Sequence, residues 1–130
     1  DDTRPFLEFK GTLLARLVAE TVPLPELSDR LKQAVGQSQV IGGGPETARK
    51  ILISTGGGNS ILEECAHLNI DTLITGEVSH DAFSRAHELG INLLLGGHYA
   101  TETLGVQAIG KFVAQKFDLP FTFLDHPSGL

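Results

Sequence analysis

Residues 50–95, KILISTGGGNSILEECAHLNIDTLITGEVSHDAFSRAHELGINLLL, decide how this chain folds. Three apolar runs of strand length stand in it: KILIS at 50–54, DTLITG at 71–76 and INLLL at 91–95. Between them lie stretches whose apolar residues recur at helical spacing, over about 60–69 and about 79–89, the second stopped by Gly90. Strands alternating with helices imply parallel pairing through right-handed crossovers, because a parallel neighbour needs a connection long enough to return across the sheet. The expected class is α/β, a three-layer domain with a mostly parallel sheet and helices on both faces.

Working outward, Leu24, Leu27, Leu31 and Val35 fall on one helical face, so PELSDRLKQAV reads as a helix begun by prolines and ended near Gly36. QSQVI reads as a short strand before the GGGP turn at 42–45. Pro5 through Val22 is ambiguous: LLARLVA suits a helix, while Gly11 and the threonines suit an extended chain. Downstream, a long helix is expected from about 101 to 117, with Leu104, Ala108, Phe112 and Lys116 along one side and Ile109 and Val113 flanking it. FTFLD at 121–125 reads as a last strand. No boundary interrupts the pattern, and residues 1–130 form one expected domain.

Ten basic against sixteen acidic residues give a net charge of −6 with no basic cluster, which argues against a nucleic-acid partner. No apolar run approaches membrane-spanning length. The one cysteine, Cys65, lies in a helical pattern and reads as a small core residue; a reducing, cytoplasmic setting is the compatible expectation.

In an open α/β sheet, ligands gather outside the carboxyl ends of the strands. Three loops leave those ends: TGGGNS at 55–60, TGEVSHD at 75–81 and GGHYATE at 96–102. In the last, His98 and Glu102 stand four residues apart at the expected helix start, a nitrogen and an oxygen donor suited to zinc, iron, cobalt or manganese. The same spacing also suits Glu102 favouring the positive helix end while His98 packs locally. His80 and Asp81 could supply a ligand, an acid–base pair or a carboxylate that orients an imidazole, or Asp81 could cap the next helix; Glu77 carries the same ambiguity. Gly56, Gly57 and Gly58 could bring backbone amides to an anion, or simply permit a tight turn. The dinucleotide pattern G-x-G-x-x-G fails at Ile61, and no G-x-S-x-G elbow is present. His67 and His87 read as helix-surface residues, and His126 carries no spacing signal.

TGGGNSILEECAHLNIDTLITGEVSHDAF followed by GINLLLGGHYATETLGVQAIGKF resembles the C-terminal part of the GTP cyclohydrolase I type 2-like, or Nif3-like, family. The resemblance covers about residues 49–125, and its specificity lies in the glycine turn, TGEVSHDA and GHYATE taken together. It implies one half of a duplicated fold, whose N-terminal half is a partner of this one, and a homo-oligomer. It implies that His98 and Glu102 ligate metal in a centre of two divalent ions, which this half alone leaves incomplete, and that His80 lines the same cleft. The function so implied is a dinuclear-metal-dependent hydrolase of a nucleotide-like or other polar small molecule. The alternative is a metal-dependent ligand- or partner-binding regulatory protein without turnover.

Overall fold

The computed structural model describes residues 3–9 and 12–128. Gly11, on which part of the extended reading of the N-terminal segment rests, lies outside them. Among the described residues six strands form a single sheet in the order β1-β2-β4-β5-β6-β3: β1 Arg4–Phe9, β2 Thr12–Pro23, β3 Gln39–Gly42, β4 Thr47–Ile53, β5 Thr72–Thr75 and β6 Asn92–Leu95. The helices are α1 Leu24–Val35, α2 Leu62–His67, α3 Ala82–Leu89 and α4 His98–Phe117, and a short 3₁₀ turn, Asn59–Ile61, leads into α2.

The parallel pairs predicted from residues 50–95 are β4 with β5 and β5 with β6. Antiparallel strands extend this centre on both sides, β1 and β2 beyond β4, and β3 beyond β6, so the sheet is mixed where the alternating pattern points to a mostly parallel one. Because β4, β5 and β6 follow one another in the same direction, right-handed crossovers put α2 and α3 on the same face. There Leu62, Cys65, Ala82 and Ala86 pack with Leu17, Leu52, Leu73 and Leu93. On the opposite face α1 buries Leu27 and Leu31 against Val22, Ile51, Ile74 and Leu94. The three layers follow, and β5, covered on both sides, is buried at every position.

The open choice for Pro5–Val22 resolves as a hairpin, with Arg4 opposite Leu17 and Phe9 opposite Thr12. Ala15 and Leu17 reach the α2–α3 face while Val18 packs on the α1 side, the alternation of a strand. Helix α1 ends where Gly36 takes a left-handed φ of 86° and returns its N–H to the Lys32 carbonyl at 2.8 Å. Helix α4 begins at His98, earlier than its periodicity suggests, because Gly97 turns the chain with a φ of 87° immediately before it.

FTFLD at 121–125 is not a strand. The segment pairs with no strand, and it doubles back along α4: the Phe121 ring fills the gap left by Gly110, and the Tyr99 hydroxyl donates to Asp125 at 2.9 Å and accepts from the His126 N–H at 2.7 Å. A helix of 20 residues carries the chain roughly 30 Å from the strand ends, and the tail follows the helix instead of reaching a sheet edge. Among the described residues no helix is long and apolar enough to cross a membrane.

Candidate functional site

At the carboxyl ends of β4, β5 and β6 the parallel hydrogen-bond ladder continues into the loops. Ser54 N–H donates to the Ile74 carbonyl at 2.9 Å, Gly76 N–H to the Gly56 carbonyl at 2.8 Å, Gly96 N–H to the Thr75 carbonyl at 2.9 Å and Gly97 N–H to the Gly76 carbonyl at 2.8 Å. The three loops singled out in the sequence therefore form one continuous surface.

Its centre is the Gly56 peptide. The carbonyl accepts from Gly76 N–H, from Glu77 N–H at 3.0 Å and from the buried Thr75 hydroxyl at 3.0 Å, while the Gly56 N–H donates to Thr101 Oγ1 at 3.1 Å. Gly56 has a φ of 66°, a left-handed conformation that glycine adopts without steric cost, and a side chain here would meet Glu102 Oε1 at 2.7 Å and His98 Nε2 at 3.3 Å. The turn is thus the floor on which His98 and Glu102 rest. Gly58 N–H is spent on the Glu77 carbonyl at 2.9 Å, which leaves Gly57 N–H alone of the three glycine amides without a partner among the described residues. The glycines act here chiefly as a turn, and the anion cradle suggested by the sequence contracts to that one amide.

His98 and Glu102 come together. Nδ1 of His98 donates to Glu77 Oε1 at 2.8 Å, since a carboxylate can only accept, and Nε2 lies 3.3 Å from Glu102 Oε1. With its proton held on Nδ1, the neutral ring presents a lone pair at Nε2 to a carboxylate oxygen, and two such acceptors converge only if a cation lies between them. A proton can serve: the Glu77 hydrogen bond raises the His98 pKa above its ordinary value, desolvation opposes it, and the charge on Glu102 adds to the rise. A metal ion can serve as well. Two ligand atoms each about 2.0–2.2 Å from one tetrahedral ion lie about 3.3–3.6 Å apart, so the observed spacing fits. Glu77 stands behind the imidazole, in the orienting position that metal-binding histidines commonly give to a carboxylate. No group of three or more histidine, cysteine, aspartate or glutamate side chains able to hold a metal occurs among the described residues.

The orienting carboxylate is Glu77 and not Asp81. Asp81 holds the position before α3 without capping it; its carboxylate accepts from Ser79 Oγ and from Arg85 at 3.0 Å. Arg85 also binds Glu63 and the Asn59 carbonyl, and Asn59 pairs with Ser79, so this network pins the loop that carries His80. These hydrogen bonds hold the Asp81 and Glu63 carboxyls below their ordinary range. His80 itself is exposed, and no side-chain hydrogen bond or ion pair joins it to His98. His67 and His87 are exposed on their helices as expected, His87 edge-on to Phe83. Cys65 is fully buried, and burial pushes its thiol up to about 12, which matches a core role.

Thr101 and Gly76 escape the sequence reading. Thr101 is buried, takes the Gly56 N–H and donates back within its helix to the Gly97 and His98 carbonyls. A side chain on Gly76 would meet the Gly56 carbonyl and Thr101 Oγ1 at 2.7 Å and His98 Cα at 2.8 Å. The GH-x-x-T-E spacing is the available signal for Thr101, one helical turn after His98 and facing the sheet.

Fold and site together define a three-layer α/β domain with an oriented histidine–carboxylate pair at the carboxyl ends of its parallel strands. The sequence model of the Duf34/NIF3 (NGG1p interacting factor 3) family matches residues 2–128, and the chain belongs to that family. It is 34% identical over 134 aligned residues to a GTP cyclohydrolase 1 type 2 homolog of Deinococcus radiodurans, covering 99% of this chain and 50% of that protein. A homolog of the same description from Pyrococcus abyssi is 36% identical over 130 residues, covering 97% and 52%. The crystal structure of TTHA1606 from Thermus thermophilus superposes with a TM-score of 0.83 at 32% identity, covering 99% of this chain and 52% of that one. The chain spans about half the length of the curated relatives it matches.

Proposed function

We propose that this domain supplies part of the site of a metal-dependent hydrolase acting on a nucleotide-like or other polar small molecule. The observation that carries the reading is the convergence of His98 Nε2 and Glu102 Oε1 at 3.3 Å while Glu77 holds the far ring nitrogen. His98 and Glu102 would hold one or both of two divalent ions, with the remaining ligands contributed by a further half of the protein. Bound there, divalent ions supply positive charge that polarises the scissile bond and acidifies water. Glu77 keeps the imidazole in the tautomer that offers Nε2, and the Gly56 turn keeps Glu102 beside it. His80, exposed on the neighbouring loop, would exchange a proton with the substrate or contact it, and Gly57 N–H would meet an anionic group. The name GTP cyclohydrolase 1 type 2 homolog carried by the relatives supports a nucleotide substrate.

Turnover of nucleotides by a protein of the relatives' full length, with and without added Zn²⁺, Mn²⁺ or Fe²⁺, tests this reading; turnover indifferent to metal refutes it. If His80→Ala leaves kcat/KM within about twofold, His80 moves no proton.

A second reading, partner binding without turnover, is favoured by α4. Val106, Ile109, Phe112 and Phe117 stand more than half exposed on it, and Thr101 is its one buried residue. Such a surface suits a protein partner, whether another half of the same protein or a second copy in a homo-oligomer. Metal-loaded, full-length protein that binds ligand but turns nothing over would support this reading over the first.

A further inference from the structure

Helix α4 carries more than the pair at its start. His98, Glu102, Gly105, Ile109, Phe112 and Lys116 follow one another at intervals of four, three, four, three and four residues, the spacing of a two-helix coiled-coil seam. At about 100° per residue they share one arc of the helix, and Val106 and Val113 widen that arc on one flank. The seam is open. The tail lies along the side of Tyr99 and Gly110, Thr101 is buried against the fold, and a side chain on Gly105 would meet nothing within 4 Å. Val106, Ile109 and Phe112 are each more than 60% exposed, and with Val113 and Phe117 they leave on the order of 500 Å² of apolar surface in water. A standard interface takes about 800 Å² from each partner, a little over half of it apolar, so the stripe has the area of one side of a dimer. Its two ends are opposite in charge. Glu102 and Glu77 stand at the start; Lys116 stands at the end, its ammonium 5.8 and 5.5 Å from the centres of the Phe112 and Phe117 rings and in no ion pair among the described residues.

We propose that this stripe seats the same stripe of a second copy of the chain, the two α4 helices running antiparallel about a two-fold axis between Gly105 and Ile109. In that register Ile109 of each copy fills the gap over Gly105 of the other, Phe112 lies against the side chain of Glu102, and Lys116 comes level with His98. Each Lys116 ammonium then reaches the Glu102 and Glu77 carboxylates of the other copy, since four residues of helix span about 6 Å, the reach of an extended lysine side chain. Reversed end to end, the seam complements itself, in shape at Gly105 and Ile109 and in charge at its ends, and this selects a second copy over an unrelated partner. The pairing uses neither metal nor substrate and goes beyond both readings of the site.

The test is sedimentation equilibrium of this chain in a metal chelator, which keeps the result independent of the metal reading. The expected species is a dimer of twice the chain's mass; a chain still monomeric at about 1 mM would overturn the proposal. Ile109→Glu, at a side chain two-thirds exposed in the single chain, is expected to keep its circular dichroism spectrum and to weaken the dimer more than about 100-fold, because the change enters each dimer twice. Lys116→Glu is expected to weaken it about 10-fold, and adding Glu102→Lys to the same chain to restore most of the loss by returning opposite charges to each end. Within one chain these two positions stand about 21 Å apart along the helix, so such a rescue reports antiparallel pairing between copies. A dimer indifferent to Ile109→Glu, or a charge exchange that restores nothing, would overturn the proposal as well.

Discussion

The junction beneath His98 makes a sharp prediction about Gly76→Ala. The new methyl carbon would stand 2.7 Å from the Gly56 carbonyl oxygen, 2.7 Å from Thr101 Oγ1 and 2.8 Å from His98 Cα, all of them fixed by backbone or by burial. Two loops and the first turn of α4 must separate by several tenths of an ångström. Overpacking of this kind costs about 1–3 kcal/mol. The same movement stretches the Gly76-to-Gly56 and Gly56-to-Thr101 hydrogen bonds, each worth about 0.5–1.5 kcal/mol, so a total of about 2–4 kcal/mol is expected. For 130 residues that lowers Tm by roughly 7–15 °C. The control is Gly57→Ala, whose methyl would meet nothing within 4 Å and whose φ is not in the left-handed range; it should stay within about 0.5 kcal/mol. Gly56→Ala separates stability from chemistry: a left-handed φ costs about 1–2 kcal/mol, and the methyl displaces the Glu102 carboxylate from His98. Urea unfolding followed by circular dichroism ranks the three variants. Gly76→Ala within about 0.5 kcal/mol of wild type, or Gly57→Ala as the costlier of the pair, would refute the junction.

Three further outcomes follow from the same geometry. Removing the Glu77 carboxylate's charge by Glu77→Gln should lower the His98 pKa in the chelator-treated chain, measured by NMR titration of the ring, because the Glu77 hydrogen bond is the largest cause of its rise. Asp81 and Glu63 have pKa values depressed in the fold by hydrogen bonds from Ser79 and Arg85, so their contribution is present above the unfolded carboxylate pKa and lost as pH falls through the lower folded values. Arg85→Ala should therefore cost stability near neutral pH and progressively less in acid, read as a converging pair of urea midpoints; a gap that stays constant with pH would contradict this. The Cys65 thiol, pushed up to about 12 and wholly buried, should react with a disulfide reagent at mildly alkaline pH only through unfolding, so its rate should track the unfolded fraction as urea is added.

The centre of the fold is legible because its information is local. Each strand of residues 50–95 is an apolar run followed by a turn residue, and alternation then dictates parallel pairing. Residues 12–23 are not legible in the same way: a run such as LLARLVA satisfies both periods, and pairing with β1 and β4 decides it. The tail misleads for the opposite reason, since FTFLD has strand composition but is claimed by Gly110 and Tyr99 of α4. In the site, spacing brings His98 to Glu102, a contact within one helix. Glu77 reaches His98 from 21 residues away, through the register of β5 beside β6, and that register is written in no short motif. The apolar stripe of α4 is plain in the sequence, yet Leu104, Ile109 and Phe112 remain exposed, which shows that periodicity reports an apolar face without naming what covers it.

The most direct measurement of the central claim is anomalous diffraction at the zinc edge from crystals of this chain soaked in Zn²⁺. The expected result is a peak about 2.0–2.2 Å from both His98 Nε2 and a Glu102 carboxylate oxygen, with Nδ1 still bound to Glu77. Zinc bound elsewhere on the chain, with His98 and Glu102 still facing each other across a shared proton, would contradict it.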